Sequence, residues 1–218
     1  MEGFERPKTA QEAVLREIRL RLLDGRIQPG EAIRPDVFGA ELGVSAVPVR
    51  EALRILEGEG QVGYRPHRGY LVNKLEIDDL KEIHRVRELL EEEAVRCAMP
   101  RLTPEHIERM RQALSDMAPV KEDVVAIKAA NRRFHFTLME AAGMPHLIRM
   151  ISWLWDASEP YCSLYFMQPE NQAEVDAEHQ SIMKAVEAGD VDGTIELLNV
   201  HRRQALSVLE RGLAAGAA

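Results

Sequence analysis

The stretch from Gly43 to Gly60, GVSAVPVREALRILEGEG, constrains the fold of this chain more than any other part of the sequence. Gly43 predicts the end of one short helix. Ser45 is a preferred residue for capping the next helix, and Pro48 falls in its first turn, where a missing N–H costs little. Apolar residues then recur at helical spacing and are expected to face inward, namely Val49, Ala52, Leu53 and Leu56. This pattern predicts a helix-turn-helix.

The outer side of the second helix carries Arg50, Arg54 and Glu57 at i, i+4 and i+7. Taken alone, these arginines could equally be solvated surface residues, because helix-turn-helix geometry recurs in proteins that never bind DNA. The next stretch, QVGYRPHRGYLVN, alternates apolar and polar residues around a turn and predicts two short strands. The tip of this hairpin is basic and holds Arg65, His67, Arg68 and Gly69. A recognition helix followed by a basic hairpin indicates a winged helix that binds double-stranded DNA.

Length and composition limit the number of domains and the class of protein to which this chain can belong. With 218 residues and 45% apolar content, the chain can form one large or two modest domains with real cores. Cys97 and Cys162 lie far apart without a CxxC motif, which suits a reducing compartment. The amino terminus has no apolar signal segment, and no uncharged run approaches the ~20 residues that a membrane span needs. We therefore expect a cytoplasmic protein with no membrane partner.

The charge is divided unevenly along the chain. Residues 1–74 contain 12 Lys and Arg against 11 Asp and Glu, whereas residues 75–218 contain 16 against 25. This shift predicts two domains with different roles. DNA contact would depend on local arginine clusters, so binding should be sensitive to salt.

The predicted fold is mainly α, with a winged helix-turn-helix over 1–74 and an all-α six-helix bundle over 75–218. Periodicity predicts three helices before the wing: one from Lys8 or Thr9 to Leu23, one from Pro35 to Leu42, and one within Gly43 to Glu59. Arg34, just before the second helix, is placed to meet a DNA phosphate. The bundle helices are expected to begin near Ile77, Thr103, Lys121, Pro145, Glu170 and Val191. Pro160 is expected to bend or break the fourth of them.

Histidines and an asparagine lie on the apolar stripes of the predicted bundle helices. Asn131 and His135, four residues apart, share the apolar face of the third bundle helix, and His179 and His201 lie on the stripes of the fifth and sixth. His179 is ten residues before Gly189 and His201 is eleven residues after Asp190, so each lies about 15 Å from that turn. Antiparallel packing would bring the two imidazoles level.

This arrangement predicts a divalent metal site, because three imidazoles and an amide oxygen would converge and leave positions for water or ligand. A single buried histidine is more often a hydrogen-bonded core residue than a ligand. Three of them on inward stripes at matched depth favour the metal. His84, His106 and His146 show no such convergence.

The residues quoted so far carry a resemblance to a known family. DGRIQPGEAI, ELGVSAVPVREALRILEGEG and RPHRGYLV, then RVRELLEEEAV, NRRFHFTLMEAAGMPHL and EHQSIMKAVEAGD, occur in order over nearly the whole chain. In these motifs the chain resembles a GntR-family transcriptional regulator of the FadR type with an FCD effector domain, similar to the VanR-like subgroup. The resemblance implies a homodimer, most often a repressor, that releases operator DNA when a small carboxylic acid binds.

The resemblance also implies roles for individual residues. Arg50 and Arg54 match operator-contacting positions, Gly69 and its neighbours match the wing tip, and Arg34 matches a position beside phosphate. Ala46 and Val47 depart from the family's Arg-Thr, so the usual operator is not expected. Zinc or nickel is implied for His135, His179 and His201, and Asn131 replaces the family's aspartate. Arg87, Tyr161 and Tyr165 are the candidate effector contacts, although Arg87 could instead form a surface ion pair with Glu91 and the tyrosines could be core residues.

Two other functions are compatible with parts of the sequence. A metal-dependent hydrolase would use the histidine cluster to activate water. No HExxH, GxSxG or GxxxxGK[ST] motif occurs, and that interpretation leaves the winged helix unused. A regulator whose metal is purely structural, with no small-molecule effector, is the third alternative.

Overall fold

The structure is a computed structural model that describes residues 9–23, 25–66, 68–73, 77–117, 124–166 and 169–216. The chain divides into two compact units, 1–75 and 76–218. Within the described residues, no helix is both long and apolar enough to span a membrane.

The first unit contains the predicted helices and wing. Its elements are α1 (Ala10–Leu23), β1 (Ala32–Ile33), α2 (Pro35–Leu42), α3 (Ala46–Gly58), β2 (Val62–Arg65) and β3 (Gly69–Val72). The strands form an antiparallel sheet in the order β1-β3-β2, with Tyr64 opposite Tyr70 across the hairpin. The expected two-stranded wing therefore has a third strand, which sequence reasoning missed because β1 is only two residues long.

The core of this unit is the set of inward residues that the periodicity indicates. Val14, Ile18 and Leu22 of α1 pack with the apolar face of α3, where Val49, Leu53 and Leu56 are fully buried. Ala10, at the start of α1, is exposed. The apolar stripe of α1 therefore begins one turn later than a simple helical pattern implies.

The turn between α2 and α3 is tight and depends on glycine. Gly43 has φ +70°, which L side chains rarely adopt, and it ends α2 as predicted. Gly39 is buried, and a β-carbon there would lie 2.8 Å from the carbonyl oxygen of Val44. Ser45 occupies the N-cap position of α3, but its side chain makes no capping hydrogen bond, so the prediction that Ser45 caps the helix holds for the backbone only.

The second unit is helical throughout its described residues. Its helices are α4 (Ile77–Ala98), α5 (Pro104–Met117), α6 (Val124–Glu140), α7 (Pro145–Phe166), α8 (Pro169–Glu187) and α9 (Val191–Gly216), with a 3₁₀ turn at Met99–Arg101. The core lies between α4, α5, α6, α8 and α9, around Phe134, Leu138 and Ile182. These six helices are the predicted bundle.

The junction between α8 and α9 decides how deep two of the site residues lie. Gly189 has φ +70° and ends α8, and Asp190 accepts a hydrogen bond from the Gly193 amide at 2.9 Å at the start of α9. This turn sets the depth of His179 and His201.

The prediction that Pro160 could break its helix is wrong, because α7 runs on to Phe166. A proline removes one intrahelical hydrogen bond, and the buried face of Ile151, Leu154 and Trp155 holds the helix against the bundle.

Candidate functional site

The first candidate site is the outer face of α3 together with the wing. Arg50 and Arg54 are exposed on α3, and they border a concave surface of about 590 Å³. Pro35, Glu57, Tyr64, Gly69 and Tyr70 line the rest of it. The arrangement places two guanidinium groups beside a wing, which suits the edge of a DNA duplex.

Glu57 lies on the same side of α3 but holds the wing in place. Its Oε1 accepts a hydrogen bond from the backbone amide of Tyr64 at 3.0 Å. Because this carboxylate is already paired with the wing, Arg50 and Arg54 remain the positively charged groups of this face. Sequence spacing alone did not separate Glu57 from the two arginines.

The wing tip exposes the side chains of Arg65 and Arg68. The Arg68 amide donates to the Arg65 carbonyl at 3.1 Å, and Gly69 follows with φ +81°. His67 lies outside the described residues. Arg34 is two-thirds exposed and 3.6 Å from Asp36, a surface pair worth at most about 1 kcal/mol, so its side chain can reorient towards a phosphate.

The second candidate site is a cluster of His135, His179 and His201 from α6, α8 and α9. One ring nitrogen from each lies within 4.8 Å of the others. The Nε2 atoms of His135 and His179 are 3.1 Å apart, and the ring centroids of His179 and His201 are 4.8 Å apart. Two imidazole nitrogens bound tetrahedrally to one zinc ion would be about 3.3 Å apart, so the His135–His179 pair has the spacing of two zinc ligands and His201 lies within reach of the same ion.

The buried histidines are held in the neutral form. Burial lowers the pKa of His135 well below its ordinary value, and electrostatic interactions with His201, Arg87 and Arg202 lower it further. Burial likewise lowers the pKa of His179, with smaller contributions from the other two histidines. Neutral imidazoles keep a lone pair for a metal, whereas protonated ones do not.

Asn131 lies one turn before His135 and lines the same cavity as His135 and His201. Its Oδ1 is buried and has no hydrogen-bond partner among the described residues. A buried amide oxygen without a partner costs about 1–3 kcal/mol, so it needs a cation or a donor. This unpaired oxygen is an observation independent of the histidines that fits a bound cation.

Glu178 is a member of the cluster that sequence reasoning missed. Its Oε2 lies 2.5 Å from Nδ1 of His201. A carboxylate only accepts, so Nδ1 carries the proton and Nε2 is left for a ligand bond. Glu178 directly precedes His179 in the sequence, so helical periodicity alone puts it on a different face of α8 from His179. The crossing of α8 and α9 brings it to His201 instead.

Beside the histidines lies a buried ion cluster of Arg87, Glu91 and Arg202. Arg87 Nε donates to Glu91 Oε1 at 2.8 Å, and Arg202 Nη2 donates to Oε2 at 2.6 Å. Trp155 donates its indole N–H to Oε1 at 2.8 Å, and the Arg87 guanidinium lies 4.2 Å from the centre of the Trp155 ring. Arg87 therefore forms the expected ion pair with Glu91, but the pair is buried and not at the surface; Arg87 also lines the cavity, and its role as an effector contact stays a prediction.

The ion cluster contains two arginines and one carboxylate, so it has one positive charge in excess in a buried place. Burial by itself raises the pKa of Glu91, but Arg202 and Arg87 more than offset this and lower it to about 2. The carboxylate is therefore ionised under all physiological conditions. An anionic ligand in this cavity would balance the remaining charge.

His84 does not join the three clustered histidines, as expected, but it lies close to them. It is buried, it lines the same cavity, and neither ring nitrogen has a hydrogen-bond partner among the described residues. Burial, Arg87 and Arg202 lower its pKa to about 3, so it is a neutral donor and acceptor.

Tyr161 and Tyr165 lie on α7, but their side chains are outside the described part of the structure. His106 bonds to Thr103 and His146 to Arg149 at the surface.

Comparison with known proteins identifies both units. Residues 10–72 match the model of the bacterial regulatory proteins of the gntR family, and residues 82–204 match the FCD domain. The FCD match covers more than half of the chain. This chain belongs to the gntR family of bacterial regulatory proteins. It is a DNA-binding transcriptional regulator with an FCD domain.

Named relatives of this GntR-family regulator are transcriptional regulators and not enzymes. It is 29% identical to the HTH-type transcriptional regulator McbR of Escherichia coli K12 over 199 residues, covering 88% of this chain and 89% of McbR. It is 32% identical to the "Probable D-xylose utilization operon transcriptional repressor" of Paenarthrobacter nicotinovorans, covering 84% and 81% of the two chains. The solved structure of E. coli McbR superposes with a TM-score of 0.83 at 26% identity, over 95% of this chain and 100% of that one. The hydrolase alternative is therefore set aside.

Proposed function

We propose that this regulator controls transcription in response to a small organic acid that binds beside a divalent metal ion in the second unit. The observation that carries the proposal is the cavity shared by Asn131, His135, His201, Arg87 and Arg202. It combines metal-ligand chemistry on one side with an excess positive charge on the other. A structural metal alone would not need the second feature.

In this proposal His135, His179, His201 and Asn131 hold the ion, zinc or nickel being the expected metals. The bound ion would supply positive charge and open positions for a carboxylate. Glu178 fixes the orientation of the His201 ring through Nδ1. The ligand nitrogens now lie within 4.8 Å of one another, so the three rings would have to move closer together around a bound ion.

The effector carboxylate is assigned to the side of the cavity near Arg87 and Arg202. The Nε of Arg87 is already used by Glu91, and its two terminal nitrogens have no partner among the residues described. Those two N–H groups offer the paired donors that a carboxylate binds most strongly. The neutral ring of His84, also on this side, is a further hydrogen-bonding group for the ligand.

The cavity also suggests how binding is transmitted. Its volume is only about 50 Å³, which is room for a few water-sized groups. Its walls come from α4, α6, α7 and α9, so an acid of several carbon atoms must shift at least one of these helices. A ligand that binds the shifted state better than the unshifted one changes the population of the two states.

DNA binding is assigned to the exposed face of α3 and to the wing. Arg50 and Arg54 are proposed to contact bases, and Arg34, Arg65, Arg68 and the wing tip to contact the backbone or the minor groove, with Ser45 at the start of α3. His67 belongs to the same predicted wing tip. A repressor role follows the printed name of the Paenarthrobacter relative.

We propose that the regulator acts as a homodimer, which would present two winged helices to two half-sites. The second unit exposes large apolar side chains on α4 and α7, where Leu89 is 53%, Met150 57% and Trp153 47% exposed. Burying such a patch against a second copy would stabilise a dimer. Leu89→Glu should lower the sedimentation coefficient to that of a monomer, and an unchanged dimer would exclude this face.

The metal proposal is tested by mass spectrometry of the full-length protein purified without an affinity tag or chelator. We expect about one zinc or nickel ion per chain, lost in His135→Ala/His179→Ala and retained in the surface control His106→Ala/His146→Ala. Circular dichroism shows whether each variant is folded. A folded wild type without metal, or metal retained in the first variant, would overturn the site.

The effector proposal is tested separately with a panel of small carboxylic acids. An effector should raise the melting temperature of the metal-loaded protein and weaken operator binding in a gel-shift titration. Arg87→Gln should lose both effects while keeping its metal. Metal binding without any response to acids would favour the alternative of a purely structural metal.

A further inference from the structure

Val47 is an apolar side chain in an unusual place. It is the second residue of α3, and it is 58% exposed, whereas Val49 two residues later is fully buried. Val47 is not a member of the core of the first unit. The fold therefore does not explain why a branched apolar residue stands in the first turn of this helix.

The neighbours of Val47 are the residues proposed to contact operator bases. Arg50 and Arg54 lie three and seven positions further along α3, both exposed on the same side of the helix. In helix-turn-helix proteins the amino-terminal residues of this helix contact base edges in the major groove. Val47 belongs to that amino-terminal turn.

The chemistry of valine restricts what it can contact there. It has no donor or acceptor, so it cannot form a hydrogen bond with a base edge or a phosphate. The apolar group that DNA presents in the major groove is the C5-methyl of thymine. Ala46, the preceding residue, has no hydrogen-bonding side chain either, so this turn lacks the arginine or amide that would select guanine or adenine.

We propose that Val47 is a specificity-determining residue that packs against the C5-methyl group of a thymine. Each operator half-site then carries a T·A pair opposite the first turn of α3. The guanidinium groups of Arg50 and Arg54 contact positions beside it. The inference rests on the proposed role of α3 in DNA binding and adds to it the identity of one base pair.

The test removes the methyl group from the DNA rather than the side chain from the protein. Operator duplexes are first selected from a random pool with the full-length regulator. Each thymine of the selected sequence is then replaced by uracil, which differs only in lacking the methyl. We expect one position in each half-site at which uracil weakens binding about fourfold, the effect of exposing one buried methyl group.

The Val47→Ala variant identifies the side chain responsible. Since Val47 is exposed, the variant should fold normally, and it should bind thymine and uracil duplexes with equal affinity at that position. Val37, which is 56% exposed on α2, provides a matched control. The Val37→Ala variant should keep the fourfold preference for thymine.

Three results would overturn the inference. A wild type with no uracil-sensitive position, or a Val47→Ala variant as sensitive as the wild type, would assign the methyl contact elsewhere or nowhere. In either case the DNA-binding role of α3 would stand. Failure to enrich any sequence would instead overturn both the role of α3 and the inference.

Discussion

Glu91 is the residue whose replacement tests the buried ion cluster most directly. The side chain is 4% exposed, and its two oxygens accept three hydrogen bonds, from Arg87, Arg202 and Trp155. Glu91→Gln keeps the shape of the side chain but removes its charge. It also turns an NH₂ group towards one of these donors. Two buried guanidinium groups would then lack a counter-charge.

The expected cost follows from the pKa of Glu91. Its folded pKa of about 2 lies below the ordinary value of 4.5. At 1.36 kcal/mol per pKa unit, this difference corresponds to about 3 kcal/mol of stability at pH 7. The loss of one member of a buried ion pair typically costs 3–5 kcal/mol, which agrees in magnitude. We therefore expect Glu91→Gln to lower the free energy of unfolding by about 3 kcal/mol.

The same shift predicts how the effect depends on pH. Because the folded pKa is lower than the unfolded one, the contribution of Glu91 is complete above about pH 4.5. It decreases as the pH falls towards 2, and more than half of it is lost by pH 3. The difference between wild type and Glu91→Gln should therefore be constant from pH 7 to 5 and shrink below pH 4.5.

Tryptophan fluorescence during urea titration measures this in the full-length protein. Both tryptophans of the chain, Trp153 and Trp155, lie on α7, so their signal reports the second unit alone. Glu88→Gln is the control, since Glu88 forms an ion pair with the two-thirds exposed Arg85 and should cost at most about 1 kcal/mol. A Glu91→Gln effect no larger than the control, or one that does not change between pH 7 and 3, would refute the reasoning.

Three further predictions concern other parts of the molecule. Arg54→Ala should weaken specific operator binding by about 1–3 kcal/mol in a gel-shift titration, and equal losses on operator and random duplexes would show that it contacts only phosphate. Asn131→Asp should bind zinc more tightly than the wild type, because a carboxylate is a stronger ligand than an amide. A competition titration with a chelator measures this affinity, and an unchanged value would remove residue 131 from the site. Gly39→Ala should destabilise the first unit by about 1–3 kcal/mol, since the added β-carbon would approach the Val44 carbonyl. Thermal unfolding followed by far-UV circular dichroism measures this. The control Gly58→Ala, with open space around residue 58, should have little effect.

Most of the fold could be predicted from local signals, because glycines and prolines mark where the helices end and begin. Gly43, Gly143 and Gly189 all have positive φ at helix ends, and Pro35, Pro104 and Pro145 all begin helices. Apolar periodicity then gave the inward faces. The two-residue strand β1 and the continuity of α7 through Pro160 could not be predicted in this way, because both depend on packing partners that are distant in the sequence.

The candidate site residues show the same distinction between those that local sequence signals reveal and those that depend on distant partners. The histidines could be found because each lies on an apolar stripe and the turn at Gly189 fixes their depth. Arg202 and Glu178 were missed because each acts through a partner on another helix, and Glu91 was expected only as the surface partner of Arg87 on its own helix. Arg202 and Glu91 are 111 residues apart in the sequence. Sequence periodicity describes one helix at a time, and the partner of a buried charge is decided by how the helices cross.

The effect of having asparagine at position 131 depends on the charges of the neighbouring buried ion cluster. Glu91 is the carboxylate that bonds to both Arg87 and Arg202, and a second carboxylate at position 131 would offset the remaining positive charge of that ion cluster. The neutral amide leaves that charge in place, and a bound divalent ion would add to it. If the proposed site is correct, weaker metal binding and stronger attraction for an anion would be two consequences of the same amide. Under the proposed function a carboxylate effector would reduce this positive charge, and its departure would leave more of the charge buried, which would favour a state in which the helices around the cavity let water reach the arginines.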